Sequence, residues 1–345
     1  MPFTAAQLEN IFNSTIDFHA NKPNVTRQDK QIRPLYETII ANKKTIPGGK
    51  DYITMRCKAG VGGAPMGLTG DDTVTYNDGV AIKTGIFPWK FIHTGIKFGK
   101  HELAKNGITI SANGDPSDRS GSEMVQLANL IEERLEEMQE GLERGMNIMF
   151  WRDGTQDANE IPGITSFIVD VPTTAATVAG IDPVANAWWQ NRANVGFAQG
   201  VDPSALLVTN LLQKEVRQLR RYGGDPDTGI CGSAFLEWME KELRSKGNFT
   251  LDGWSKTSAM DMSTADIMFK GIKFTYDPTL DDLGKSKYLY LLDSDTIQYN
   301  PLAGEEWQAH SPPRPEDKYV YFRAKTLMAG ITCNQRNANG VYSIS

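Results

Sequence analysis

Residues 120–151, a serine followed by GSEMVQLANLIEERLEEMQEGLERGMNIMFW, restrict the fold of this chain more than any other stretch. Met124, Leu127, Ile131, Leu135, Met138, Leu142, Met146 and Met149 recur in steps of three or four, which is the 3.6-residue period of one helical stripe. A strand, with its period of two, does not generate that spacing. Asp118 or Ser120 is placed to cap the start, and Asp153-Gly154 to end the helix in a left-handed turn. At 1.5 Å per residue the rod is about 45 Å long, against ~30 Å for a small domain, so an elongated molecule is expected. The opposite face carries Glu132, Glu133, Glu136, Glu137, Glu140 and Glu143, with Arg134 and Arg144 as partial relief. A solvated helix face is the ordinary explanation. Gly141 and Gly145 each cost about 1 kcal/mol against Ala in a helix interior, which calls for a bend or a close neighbour.

The segments before this helix have the opposite charge. Residues 1–50 open with a short amphipathic turn at 5–12. Lys22, Arg27, Lys30, Arg33, Lys43, Lys44 and Lys50 then face only Asp29 and Glu37. Apart from a helical turn near residues 35–40, this arm lacks the apolar spacing for a core, so it must lie on another surface or stay mobile. From Asp51 the period changes to two. DYITMRCKA leads out, GVGGAPMGLTGDD makes a glycine-rich tip, and TVTYNDGVAIKTGIFPWKFIHTGIKF returns. A return strand of about 12–15 residues spans roughly 40–50 Å. An isolated hairpin of that kind is marginally stable and leaves its edges open, so it needs something to rest on. Lys83, Lys90, Lys97, Lys100 and Lys105 meet only Glu102 along it.

Beyond the long helix, GITSFIVDV (residues 163–171) reads as a buried strand. Trp188-Trp189, beside Ile181 and Val184, reads as a core or subunit contact rather than a sugar or base platform. Asp202-Pro203 is expected to cap and open a second helix through SALLVTNLLQKEVRQLRRYGG, stopping at Gly223-Gly224. Its Lys214, Arg217, Arg220 and Arg221 lie toward the end that a helix dipole makes favourable for cations. TGICGS and AFLEWMEKELRSKG repeat strand, turn and helix. DIMFKGIKFTYDP, SKYLYLLDSDTIQYNP and KYVYFRAKTLMAGITCNQRNANGVYSIS then read as strands, so the chain ends on a strand pair.

Motifs that carry chemistry fail on their details. In Gly60-Val61-Gly62-Gly63-Ala64-Pro65 a proline stands where a dinucleotide loop needs its third glycine, and before Gly284-Lys285-Ser286 Thr279 stands where a phosphate loop needs its first. The calcium-like start at Asp225 has Leu236 where a bidentate Glu is required. His19, His93, His101 and His310 form no helical pair with a carboxylate, and Cys57, Cys231 and Cys333 are far apart in sequence. No catalytic residue, cofactor or metal site is expected. The 345 residues contain no run of 18 apolar positions and no signal-peptide pattern, so cytoplasmic synthesis without a membrane partner is expected. A net charge of −6 argues against a dedicated nucleic-acid binder.

The order of basic arm, extended hairpin, long acidic helix and mixed region closing on strands resembles the major capsid proteins of tailed bacteriophages, the Hong Kong phage-type fold. GIFPWKFIHTGIKFGKHELA (residues 85–104) looks like that family's extended loop running into a short helix, and residues 120–151 like its spine helix. DPSALLVTNLLQKEVRQL, TGICGSAFLEWMEKEL and GIKFTYDPTL look like the axial domain, and YVYFRAKTLMAGITCNQRNANGVYSI like the return to the peripheral domain. The resemblance implies an α+β chain with an N-terminal arm (1–50), an extended β-hairpin loop (51–105), a peripheral domain (106–200 and 318–345) and an inserted axial domain (201–317). It implies a non-enzymatic virion protein that assembles as pentamers and hexamers into an icosahedral shell around double-stranded DNA. A separate scaffolding protein, a portal and a decoration protein are partners of the kind it brings. Lys83, Lys90, Lys97 and Lys100 are expected to meet Glu132, Glu133, Glu136, Glu137 and Glu140 of a neighbouring subunit. Two alternatives stand beside it: an encapsulin-like compartment, and a soluble α/β enzyme forming a small oligomer.

Overall fold

The computed structural model describes residues 31–58, 82–99, 121–173, 176–245, 267–310 and 320–345, with isolated positions 67, 69, 70, 73, 101 and 105. For residues 121–133 it describes the backbone only. The expected turn at 5–12, the cap at Asp118 or Ser120, Lys100 and most of the glycine-rich tip lie outside the described residues.

In chain order the elements are α1 (Pro34–Ala41), β1 (Tyr52–Lys58), β2 (Ile82–Pro88), β3 (Lys90–Gly99), α2 (Gly121–Trp151), β4 (Arg192–Phe197), α3 (Leu207–Arg220), β5 (Thr228–Cys231) and α4 (Ser233–Ser245). They continue with β6 (Ile267–Phe269), β7 (Ile272–Tyr276), α5 (Pro278–Asp282), β8 (Tyr288–Leu292), β9 (Ile297–Pro301), β10 (Gln308–His310), β11 (Val320–Cys333) and β12 (Gly340–Ile344). The chain divides into two compact units. One contains Phe91–Met146 and Gly304–Met328, the other Ile32–Lys90, Asn147–Ala303 and Ala329–Ser345.

In the first unit β11 lies between β10 and β3. Gln308 stands opposite Thr326 and His310 opposite Ala324. A Cβ on Gly95 of β3 would come within 2.9 Å of the Arg323 carbonyl oxygen, so glycine is what permits this close approach. Along α2 the sequence stripe is honoured where side chains are described. Leu135 and Met146 are buried while Glu137, Gln139, Gly141 and Arg144 are exposed.

The second unit is built on a six-stranded mixed sheet in the order β4-β12-β8-β5-β7-β6. β12 is parallel to β4 and antiparallel to β8, and all five of its residues are buried. On this sheet pack Val208, Leu212, Val216 and Leu219 of α3, spaced by three and four, with Phe235 and Met239 of α4. Each such side chain taken from water contributes about 1.5–3 kcal/mol.

Asp202 and Pro203 open a single 3-10 turn, Pro203–Ala205, in which Asp202 accepts from the Ser204 N–H. They do not open α3, contrary to expectation. Leu206 adopts a left-handed conformation and α3 begins at Leu207. Its first-turn amides find a different acceptor: the Glu242 carboxylate, wholly buried, accepts from Val208 N (3.0 Å), Thr209 N (2.8 Å), Thr209 Oγ1 (2.7 Å) and Trp238 Nε1 (3.1 Å). An anion there satisfies orphan donors and meets the positive end of the helix.

The C-terminal end of α2 is fixed in a similar way. The buried Asp277 carboxylate accepts from Trp151 Nε1 at 2.7 Å and Thr279 N at 2.9 Å, while Asn147, one turn before Trp151, donates to Thr279 Oγ1 at 2.7 Å. The segment 163–171 is not the strand expected. It makes a 3-10 turn, Ile164–Ser166, whose backbone serves the helix end: Gly163 N donates to Arg152 O (2.8 Å) and Thr165 Oγ1 to Trp151 O (2.7 Å). A Cβ on Gly163 would stand 2.2 Å from the Phe150 carbonyl oxygen. The apolar residues Ile164, Phe167 and Ile168 are buried as read, but the backbone groups are spent on capping.

Two further expectations change. The return limb of the hairpin is two strands: β2 pairs with β1 from Tyr52 opposite Pro88 to Lys58 opposite Ile82, and β3 joins β11. Pro88 has no N–H for a ladder, and the indole of Trp89 donates to Lys50 O at 3.2 Å. The last two strands, β11 and β12, are not a pair and belong to different sheets. Residues 34–46, read as arm, are docked: Leu35 and Ile39 are buried, and Lys43 and Ile46 bridge to Tyr299 and Leu302.

Candidate functional site

The charged residues singled out from the sequence fall into different settings. Lys83 is exposed on β2, opposite Cys57 of β1. Lys90 is half-buried and its ammonium donates to the Ala158 carbonyl. Lys97 lies in the first unit, in a cleft of about 590 Å³ that Arg134, Glu137, Met138, Gly141 and Ile96 also line. There Glu137 is exposed and paired with Arg134 at 3.0 Å, a bond worth at most about 1 kcal/mol in that setting. Glu136 and Glu140 are half-buried. The side chains of Glu132 and Glu133, and Lys100 altogether, lie outside the described residues.

A second cleft, of about 830 Å³, lies in the second unit, where the β1–β2 hairpin, the end of α3 and the β11–β12 turn converge. Arg56, Lys58, Arg192, Arg221 and Arg336 line it, and among the described residues no carboxylate does. Arg192 is neutralised by a two-pronged pair with Glu215 (3.0–3.2 Å). Arg336 is 1% exposed, donates to Phe167 O (2.6 Å), Trp189 O (2.7 Å) and Asn191 Oδ1 (3.1 Å), and stacks over the Trp189 ring. Burial draws its pKa down to about 10. Arg56, Lys58 and Arg221 are exposed.

Sequence reasoning missed this cleft. In sequence Arg221 belongs to a helix-end cluster, and nothing local links it to Arg56 or Arg336, which lie far away along the chain. The tryptophan pair was read correctly as to Trp189, which is buried.

The groups that chemistry would need are inert or engaged. Cys57, Cys231 and Cys333 are free and buried. Burial pushes the thiols of Cys231 and Cys333 up to about 12, far from the thiolate a nucleophile requires. Lys285, its pKa lowered by burial, sits over the rings of Tyr288 and Tyr290 and bonds the Tyr290 hydroxyl at 3.0 Å. Among the described residues no group of His, Cys, Asp or Glu is placed to hold a metal ion, and no helix is long and apolar enough to cross a membrane.

No protein-family profile matches the sequence, and no curated protein matches it either. Solved structures do. The chain is similar to the capsid of cyanophage A-1(L), with a TM-score of 0.65, 13% identity, and coverage of 93% of this chain and 95% of that one. It has the capsid fold of the tailed phages. The capsid of Myoviridae phage XM1 shares the capsid fold at a TM-score of 0.60 and 11% identity, covering 94% of this chain and 96% of that one. The capsid of an empty gene transfer agent particle shares it at 0.58 and 8%, covering 96% and 98%. At such identities the capsid fold is preserved by burial pattern and backbone geometry rather than by shared motifs.

Proposed function

We propose that this chain is a major capsid protein, the self-assembling subunit of an icosahedral shell enclosing the double-stranded DNA of a tailed phage or gene transfer agent. The observation that carries the reading is the near-complete overlap in both directions with the capsid of cyanophage A-1(L). A likeness confined to one shared domain would leave much of either chain unmatched. Residues 201–317 act in this reading as the axial domain inserted in a peripheral domain of 106–200 and 318–345, and subunits group as pentamers and hexamers with help from a scaffolding protein and a portal. The opposite charges of the hairpin and of α2 set which surfaces meet, steering register more than adding affinity. Of the hairpin lysines, Lys83 on β2 and Lys97 on β3 are exposed, whereas Lys90 is engaged with Ala158.

Light scattering and negative-stain microscopy of the purified chain, with scaffolding protein supplied if needed, test the proposal. Closed particles tens of nanometres across are expected. A discrete small oligomer refutes it, and particles that enclose protein cargo and exclude DNA favour the encapsulin-like alternative. Reversing Glu133, Glu136 and Glu137 to Lys is expected to abolish particles while leaving the subunit folded.

A further inference from the structure

The cleft between the hairpin, α3 and the β11–β12 turn combines two features that packing of the fold does not call for together. The first is uncompensated positive charge. Among the described residues Arg56, Lys58 and Arg221 have no carboxylate within ion-pair distance. Arg336, buried in the same lining, is held by neutral oxygens alone, so its charge is hydrogen-bonded but not cancelled. A low-dielectric wall strengthens the field that such cations send into one concavity. The second feature is aromatic surface left open. Tyr222 is 62% exposed, with the Arg221 guanidinium 5.5 Å from its ring centre. Trp188 lines the cleft half-buried, its ring at 62° to that of Trp189. Trp189 is the core member of that pair, and Trp188 is the one with surface to offer.

We infer that this cleft binds a nucleotide, with its phosphates on Arg56, Lys58 and Arg221 and its base against Tyr222 and Trp188. Cations beside aromatic rings hold phosphate and base at once, because every base has a π-face to stack. A carboxylate partner would answer the charge and leave both rings bare, and an apolar partner would do the reverse. Amide side chains extend the match. Gln218 and Asn334 line the cleft with side chains that have no hydrogen-bond partner among the described residues. Each offers both the donor and the acceptor that the edge of a base requires. The cleft volume of about 830 Å³ falls within the roughly 300–1,000 Å³ of small-molecule sites. Net charge favours a compact ligand. At −6 the chain as a whole opposes a long polyanion, whereas within a Debye length of about 8 Å the local cations dominate. A nucleoside triphosphate and an unpaired nucleotide of a DNA strand present the same chemistry, and binding measurements separate the two sources.

The test is calorimetric titration of the full chain, in magnesium-free buffer, with dATP, inorganic tripolyphosphate, polyglutamate, and oligodeoxyadenylate both single-stranded and in a duplex. Binding of dATP or of the single strand is expected, about tenfold tighter than tripolyphosphate and weakening with salt. Lys58→Glu with Arg221→Glu, two exposed positions, is expected to lower that affinity about tenfold or more, since hydrogen bonds to charged groups are lost. Tyr222→Ala is expected to lower it about fivefold or more through the lost stack. The melting transition of each variant should match that of the wild type. If the double reversal lowers it, Lys58→Gln with Arg221→Gln removes the cations without adding anions and takes its place. An affinity for dATP at least equal to that for the strand assigns the free nucleotide, and a tighter strand assigns nucleic acid. Tripolyphosphate or polyglutamate binding as tightly as either, preference for the duplex, indifference to Tyr222→Ala, or no binding overturns the inference. None of these readouts involves particles, so the nucleotide site and the shell-forming reading stand or fall separately.

Discussion

Single residues show where this chain accepts a cost. Asp293 is buried, with the Asp225 N–H donating to its carboxylate at 3.0 Å. Burial raises its pKa above 3.8, the Asp225 N–H opposes that rise, and Asp227 adds to it. A folded-state pKa above the unfolded one means that its contribution is fully present below 3.8 and is lost as pH climbs through the folded value. Asp293→Asn, which keeps the accepting oxygen, is therefore expected to be more stable than the wild type at neutral pH. It should also lose the part of the decline that begins above 3.8. Urea midpoints across that range measure both. Gly141 is the converse case. A Cβ there meets nothing within 4 Å, so Gly141→Ala is expected to stabilise the isolated subunit by about 1 kcal/mol, read as a rise in melting temperature. A lower melting temperature would mean that α2 needs glycine for its own conformation.

At the scale of elements, α3 depends on a side chain from another helix. Removing the Glu242 carboxylate strands four donors, three of them buried, each buried one worth about 1–3 kcal/mol when unpaired. Glu242→Ala is expected to cost at least ~3 kcal/mol and Glu242→Gln less, since the amide retains one accepting oxygen. Hydrogen exchange at Val208 and Thr209 should accelerate in the same order. The sequence signalled this helix but placed its start at Pro203, because a cap supplied from more than thirty positions away leaves no local mark. The same limit explains the segment 163–171. Its apolar content was legible, but the claim of the α2 carbonyls on Gly163 and Thr165 was not. Periodicity was enough for α2 and for β5–α4, where pattern and packing agree. The basic cleft was illegible for a third reason: its cations come from β1, α3 and the β11–β12 turn, and only the folded chain collects them.

At the scale of the whole chain, β12 carries an outsized share of closure. It lies between β4 and β8 in the six-stranded sheet and pairs with both, and its side chains Val341, Tyr342 and Ile344 are buried. Val341→Asp places a charge where no partner exists and is expected to leave the chain insoluble or unfolded by circular dichroism, with loss of any higher assembly. Because β12 follows every other strand of that sheet in chain order, a ribosome delivers β4 and β8 well before the piece that joins them. Nascent chains on a polysome, though crowded together, thus hold an unfinished surface, and two subunits still being translated have little to grip on each other. On the shell-forming proposal, the timing of synthesis becomes a safeguard against premature polymerisation.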